Sequence, residues 1–335
     1  MNKTAWTLSI IAAGLAAVEA KTIHANVVRA DDSEFATYVV KSDDRFVYCS
    51  PFENGLKAEP VPHGQIKEIN WREPEDWSVA WDLYVRQQYE QAAEAMAKVY
   101  LNYKGLETME DSFASRAKFY QCEALRLSGQ WAKLEGEYKI VRFVKLSKKY
   151  AGQVRLFNCW GHAGKDLWQP LKLIMSDYEI AASKIPDYTI PPTGLPIIKV
   201  APREIIQIAY LRAVSTEKVT DDLQKKLDDL IAQDDETLLP EIEALRPQVE
   251  AGYVAALNDY ARVPTVSFGD EKLITRKAME GFLDLMMRQN DYKDNYVKQL
   301  EAHGVAMLYK DLHGEGLVPS RFEPLLTPPE EPEGE

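Results

Sequence analysis

Apolar side chains recur along most of this chain at the three-and-four spacing that puts them on one face of a helix, and residues 21–71 depart from that rule. In that early stretch Phe35 to Lys41 and Arg45 to Cys49 are rich in Val, Tyr and Phe. Asn54-Gly55 is a tight-turn dipeptide, and a short apolar–polar alternation runs from Gln65 to Trp71. The pattern predicts three or four short strands, forming a small barrel or a clasp. So small a sheet is marginal alone and is expected to pack on a neighbour. From Pro74 the period becomes helical, with Glu73, Glu75 and Asp76 near the positive end of the first helix. Thr108 and Asp111 form a variant capping box ahead of the helix that carries Phe119 and Cys122. Helices follow to residue 185. The prolines between Pro186 and Pro202 then set a linker, 186–202, and the best domain boundary.

Residues 203–312 are helical again. Leu223, Leu227, Leu230 and Ile231 recur at helical spacing in a segment where acids far outnumber bases, which predicts a helix with a solvated acidic face. A second helix runs from Pro240 to about Arg262. Ser267 and Asp270 resemble a capping box before a helix ending near Arg288, and a last helix spans Tyr292 to about Leu312, with Gly304 as a place to bend. Residues 313–335 form an acidic tail interrupted by Pro324, Pro328, Pro329 and Pro332, which reads as disordered. At the other end, Asn2 and Lys3 precede an uncharged run from Ala5 to Ala17 that finishes in small residues. That run is shorter than the roughly 20 residues a membrane-spanning helix needs, so residues 1–20 have the plan of a secretory signal peptide. Cleavage is expected near Ala20, before Lys21, with a cut after Ala25 and retention as an anchor as the alternatives. The expected location is periplasmic or extracellular, with no transmembrane segment in the mature chain.

Within 74–185 the helical pattern repeats. Arg86 to Ala92, Ser128 to Leu134 and Lys165 to Leu171 each combine a turn, an aromatic (Tyr89, Trp131, Trp168) and a small or apolar residue three later. Nine residues before each aromatic stand Ala80, Cys122 and Cys159, small enough for two helices of a hairpin to cross closely. Met96, Tyr138 and Met175 supply a large residue in each second helix. This third of the chain resembles the tetratricopeptide repeat family. It departs from the pattern in a period longer than the roughly 34 residues of that family, in keeping the consensus glycine only as Gly129, and in lacking the final proline. The resemblance implies a mainly α fold: a tetratricopeptide-like array of helical hairpins between a small N-terminal β segment and a C-terminal helical region. It also implies a concave groove reached by residues that follow the small positions. Trp77, Trp81 and Tyr84 share one helix face, as do Phe119, Glu123 and Arg126, with Trp160 in the third hairpin. Such a groove suits an extended peptide or a helix. The competing expectation is that these side chains are core, covered by the early strands or by the 203–312 helices.

Charge and composition narrow the function. A formal net charge of −12 argues against a nucleic-acid partner. Against that background Lys139, Arg142, Lys145, Lys148, Lys149 and Arg155 form a basic run, either a solvated helix face or a docking patch for an anionic partner. His24, His63, His162, His303 and His313 are scattered without HExxH, and the three cysteines lack CxxC spacing, so neither a metal nor another cofactor is expected. Cys122 and Cys159 hold equivalent positions on helices whose axes lie about 8–10 Å apart, beyond the reach of a disulfide. They read as packing thiols. Cys159 and His162 stand one helical turn apart and could form a catalytic pair, but packing already accounts for the thiol. Glycine-bracketed serine, phosphate-loop and dinucleotide patterns are missing. The expectation is therefore a non-enzymatic protein that scaffolds or binds a protein or peptide partner in the cell envelope. The alternative is an envelope-polymer or carbohydrate-binding protein, or an unrecognised hydrolase.

Overall fold

The computed structural model describes residues 21–183, 202–266 and 271–331. The expected signal segment, nearly all of the expected proline-rich linker and the expected Ser267–Asp270 capping box lie outside them. The chain is mainly helical, with a small N-terminal antiparallel sheet. It divides into two units. The first comprises residues 21–86, 94–118 and 144–146, and the second 87–93, 119–143 and 147–331.

The first unit holds β1 (Ile23–Arg29), β2 (Glu34–Ser42), β3 (Phe46–Ser50), β4 (Glu59–Pro62) and β5 (Ile66–Trp71), ordered β4-β3-β2-β1-β5 and antiparallel throughout. Five strands replace the three or four expected, and the order leaves β4 and β5 as edges rather than closing a barrel. No strand was expected at β1 or β4, and in β4 Pro60 and Pro62 run against the strand pattern. On an edge strand a missing N–H costs no ladder bond, so the prolines are tolerated there. Ile23, Ala25 and Val27 alternate inward with Val39 and Val47, all nearly inaccessible. Asp43 shapes the β2–β3 turn by accepting the Arg45 and Phe46 amides and the Tyr48 hydroxyl, which lowers its carboxyl below the ordinary range. Helix α1 (Glu75–Val85) opens after Pro74 and buries Trp77 and Ala80. Helix α2 (Tyr89–Asn102) follows, then α3 (Phe113–Leu127). The cap of α3 is Ser112, whose hydroxyl accepts the Ser115 amide. Thr108, the expected cap, instead donates to the Ser42 carbonyl at 3.0 Å. The left-handed Asp111 (φ 52°) separates it from the helix.

Helices α4 (Trp131–Val141), α5 (Ala151–Ala163) and α6 (Trp168–Ser183) continue into the second unit. Tyr89, Trp131 and Trp168 are each the first residue of a helix, and two residues before each stands a left-handed residue: Gln87 (φ 62°), Gly129 (φ 78°) and Asp166 (φ 55°). Two of these turns close with the same bond from the following amide to the carbonyl five residues back, Gln130 to Leu125 and Leu167 to His162. The small positions Ala80, Cys122 and Cys159 are all buried. Helices α4 and α5 cross so closely that a Cβ on Gly164 would stand 2.2 Å from the Ala132 nitrogen, and one on Gly161 2.7 Å from the Glu135 nitrogen.

Then come α7 (Pro202–Ile231), α8 (Leu239–Val266), α9 (Lys272–Met287) and α10 (Tyr296–His313). Helices α6 and α7, on either side of the expected boundary, pack against each other within the second unit. The acidic-faced helix forms as anticipated. Leu227 is buried with Ile242, Leu245 and Val249 of α8, Leu223 and Leu230 pack at the edge of that cluster, and Ile231 remains exposed. The tail departs from expectation. Residues Ser320–Leu326 form a 3-10 helix in which Phe322 is buried and Arg321 forks onto Asp284 at 2.8 and 2.9 Å, so one aromatic and one ion pair hold a segment whose composition read as disordered.

Candidate binding surfaces

In the second unit the residues expected to line a groove are covered by the protein's own later helices. The Trp160 ring is fully buried. Its indole N–H donates to Gln207 Oε1 of α7 at 2.8 Å, and Gln207 and Gln153 exchange amide hydrogen bonds at 2.8 and 3.0 Å. Tyr210 of α7 stacks on Trp160 with ring centroids 5.7 Å apart, and Trp131 lies 4.7 Å away on another side. Phe119 is buried against Tyr150 and Phe157. Arg126 shows no side-chain exposure. Its guanidinium forks onto Glu123 (2.9 and 2.7 Å) and onto Glu271 (both 2.8 Å), the residue that precedes α9. Burial works against its charge, but Glu123 and then Glu271 hold its pKa above the usual arginine range. Phe119, Glu123, Arg126 and Trp160 are therefore core rather than groove. The helical face was read correctly, but what lies against it is α7 and the start of α9.

In the first unit Trp77, Trp81 and Tyr84 share one helix face, but Trp77 is core rather than groove. Trp77 and Trp81 stack at 5.9 Å with 10° between planes, and Trp81 and Tyr84 at 5.4 Å with 16°. Trp77 is buried beneath Phe113 and the Arg116 guanidinium, whereas Trp81 and Tyr84 are half-buried. The same unit contains an open cleft of about 1120 Å³ between β1, the start of α1 and α2. Its most heavily bonded group is Asp76, which accepts from Lys21 Nζ (3.4 Å), Asn102 Nδ2 (2.8 Å) and the Tyr103 hydroxyl (3.0 Å). Burial, reinforced by Asp76, pushes the Tyr103 phenol above its ordinary range. Arg72 and Lys98 face Glu53, Glu73 and Glu75 around the rim, so the cleft offers both signs of charge. Nothing in the hydrophobic pattern singles out these residues, because the cleft is assembled from strands and helices far apart in sequence.

The basic run is exposed but is not one helix face. Lys139 and Arg142 sit at the end of α4, Lys148 and Lys149 in a single 3-10 turn, and Arg155 on α5. Lys145 belongs to the first unit, where its backbone pairs with Glu107 and Asp111. Lys139 lies 3.5 Å from Glu135, Lys149 covers Tyr150, and Arg142 covers Phe143 at 4.5 Å, a ring left 75% exposed. Arg155 lines a pocket of about 330 Å³ with Tyr138, Asn158, Cys159 and Tyr178. Burial raises the Cys159 thiol and the Tyr178 phenol each to about 12.

Cys159 and His162 do not meet. The thiol reaches the Arg155 carbonyl at 3.8 Å, and His162 Nδ1 lies 2.8 Å from the Asn158 carbonyl. No disulfide joins Cys49, Cys122 or Cys159, all buried. Among the described residues there is no cluster of three metal-ligating side chains, and no helix is long and apolar enough to cross a membrane. No family model matches this chain, and no curated protein or solved structure matches it.

Proposed function

We propose that this chain is an exported, non-enzymatic protein of the cell envelope, tetratricopeptide-like in its helical hairpins, that binds a protein or peptide partner. The observation that carries the reading is the threefold recurrence of one turn: a left-handed residue at 87, 129 and 166, with an aromatic opening the next helix two positions on. Recurrent hairpins of this kind stack into arrays whose faces bind other chains. Because α7 and Glu271 cover Trp160 and Arg126, the partner surface falls to the first unit, where Trp81 and Tyr84 are half-buried and a wide cleft carries both signs of charge. An extended peptide suits that cleft, since its backbone and side chains supply donors, acceptors and charges along its length.

A pull-down from the native envelope with wild-type protein and with Trp81→Ala tests this. The expected result is a stoichiometric protein partner retained by the wild type and lost by the variant, at nearly unchanged thermal stability. The reading fails if no stoichiometric partner is recovered, if the variant retains it, or if Trp81→Ala destabilises by about 3 kcal/mol or more, as loss of a core tryptophan does.

A second reading rests on the exposed Arg142–Phe143 pair, which fits an anionic envelope polymer better than a bare solvated loop. Retention on a polyanion at low salt, abolished by Arg142→Ala with Phe143→Ala, supports it. No retention at low salt removes it.

A further inference from the structure

Helices α4, α5 and α6 frame a pocket of about 330 Å³, at the small end of the roughly 300–1,000 Å³ of small-molecule sites. Tyr138 of α4 and Tyr178 of α6 are its half-buried aromatic side chains, Arg155 and Asn158 stand on α5, and Asp177 lies beside Tyr178 on α6. Buried Cys159 and half-buried Ile174 complete the lining. The bonds that α5 makes here use its backbone: the Arg155 carbonyl accepts from the Cys159 thiol, and the Asn158 carbonyl faces His162 Nδ1. Among the described residues, no hydrogen bond or ion pair takes up the Arg155 guanidinium, the Asn158 amide, the Asp177 carboxylate or either phenol. Glu204, at the start of α7, feels the Arg155 charge without forming a salt bridge to it.

The lining groups narrow the ligand. A guanidinium is shaped to fork onto a carboxylate, so a neutral ligand would leave Arg155 unused. A bare inorganic anion would be repelled by the Asp177 carboxylate and would have no use for two tyrosines. A tyrosine offers a flat apolar face and a hydroxyl together, while Asn158 and Asp177 supply the donor and acceptors that ligand hydroxyls need. A small ring with C–H faces, a rim of hydroxyls and one carboxylate uses every one of these groups. We infer that the pocket binds a single carboxylated sugar ring, of the hexuronate class, with its carboxylate on Arg155 and its hydroxyls on Asn158 and Asp177. Such a ligand shares the anionic chemistry of the envelope polymer considered above, but it touches neither Arg142 nor Phe143 and needs no peptide partner.

The test titrates the full-length protein at neutral pH with glucuronate, glucose and acetate, read by calorimetry and by saturation-transfer NMR of the sugar ring protons. Glucuronate is expected to bind saturably with a Kd on the order of 1 mM, and glucose and acetate about tenfold or more weaker. Arg155→Gln should weaken glucuronate by about tenfold and bring it level with glucose, at an unchanged melting temperature because Arg155 is exposed. Asn158→Asp, which sets a second carboxylate beside that of the ligand, should weaken glucuronate by a similar factor and leave glucose unaffected. Replacing both Arg142 and Phe143 by Ala should leave glucuronate binding intact, so the pocket and the polymer surface can fail separately. No saturable glucuronate binding up to tens of millimolar overturns the inference. So does glucose or acetate binding as tightly as glucuronate, or a glucuronate affinity that neither Arg155→Gln nor Asn158→Asp changes.

Discussion

Arg126 is a fully buried charge of the second unit, paired with two buried carboxylates. A buried guanidinium is tolerated only while both carboxylates fork onto it, and removing it leaves Glu123 and Glu271 buried in a medium that disfavours their charge. Arg126→Met is expected to cost about 3–5 kcal/mol in denaturant unfolding. Arg126→Lys should rescue little, since an ammonium cannot fork onto two carboxylates. Cys159 makes a complementary case. With its thiol raised to about 12 and its exposure near zero, it should resist iodoacetamide in the native protein at pH 8 and react only after unfolding. Rapid native alkylation of Cys159 would contradict the packing role. Glu204, at the start of α7, has its pKa shifted in the opposite direction to that of the hydrogen-bonded Asp43. Burial raises its pKa above 4.5, opposed in part by Arg155. The folded state thus prefers the protonated form, and this contribution to stability is full below the unfolded pKa and lost as pH rises through the folded one. Glu204→Gln should therefore raise the melting temperature at pH 7 and leave it unchanged near pH 4.

The hairpin turns argue from element to sequence. Gln87 and Asp166 hold a left-handed backbone that costs an ordinary residue about 1 kcal/mol, while Gly129 occupies the equivalent place without that cost. Gln87→Gly and Asp166→Gly should each stabilise the fold by about 0.5–1 kcal/mol, and Gly129→Gln should destabilise it by a similar amount, read from denaturant midpoints. Gly164→Ala is expected to be worse, by about 3 kcal/mol, because its methyl would strike the α4 backbone rather than a movable side chain. Gly152→Ala, whose methyl meets only the end of the Glu204 side chain, serves as the mild control. The starts of α2, α4 and α6 were legible in the sequence because turn chemistry is local: an aromatic, a small residue nine positions earlier and a turn between them suffice. The cap of α3 was misplaced by four residues because an acid three positions on favoured Thr108, whereas Ser112, followed at that distance by Ser115, caps by accepting the Ser115 amide. The groove was not legible at all in its decisive respect. Periodicity says which face of a helix is apolar, but only the tertiary path of α7 says that Gln207 and Tyr210 cover it.

For the molecule as a whole, the later helices serve the earlier ones as a core partner. A chain ended after Ser183 loses Gln207, Tyr210 and Glu271, leaving Trp160 and the Arg126–Glu123 pair without their cover. Such a truncated chain is expected to bind hydrophobic dyes and to lose its cooperative melt, and an intact sharp transition would show that the hairpins stand alone. The Arg126–Glu271 fork also sets an order in time. Its two halves are separated by 145 positions, so until residue 271 has been made Glu123, one turn away, is the only one of the two carboxylates present. The second carboxylate arrives when most of the polypeptide has already emerged, and the contact must then close across a long loop, the kind of pairing that forms late. In refolding kinetics, weakening this fork should speed unfolding and leave the folding rate nearly unchanged. The last step to the native second unit would then be the seating of Glu271 on an arginine made long before it.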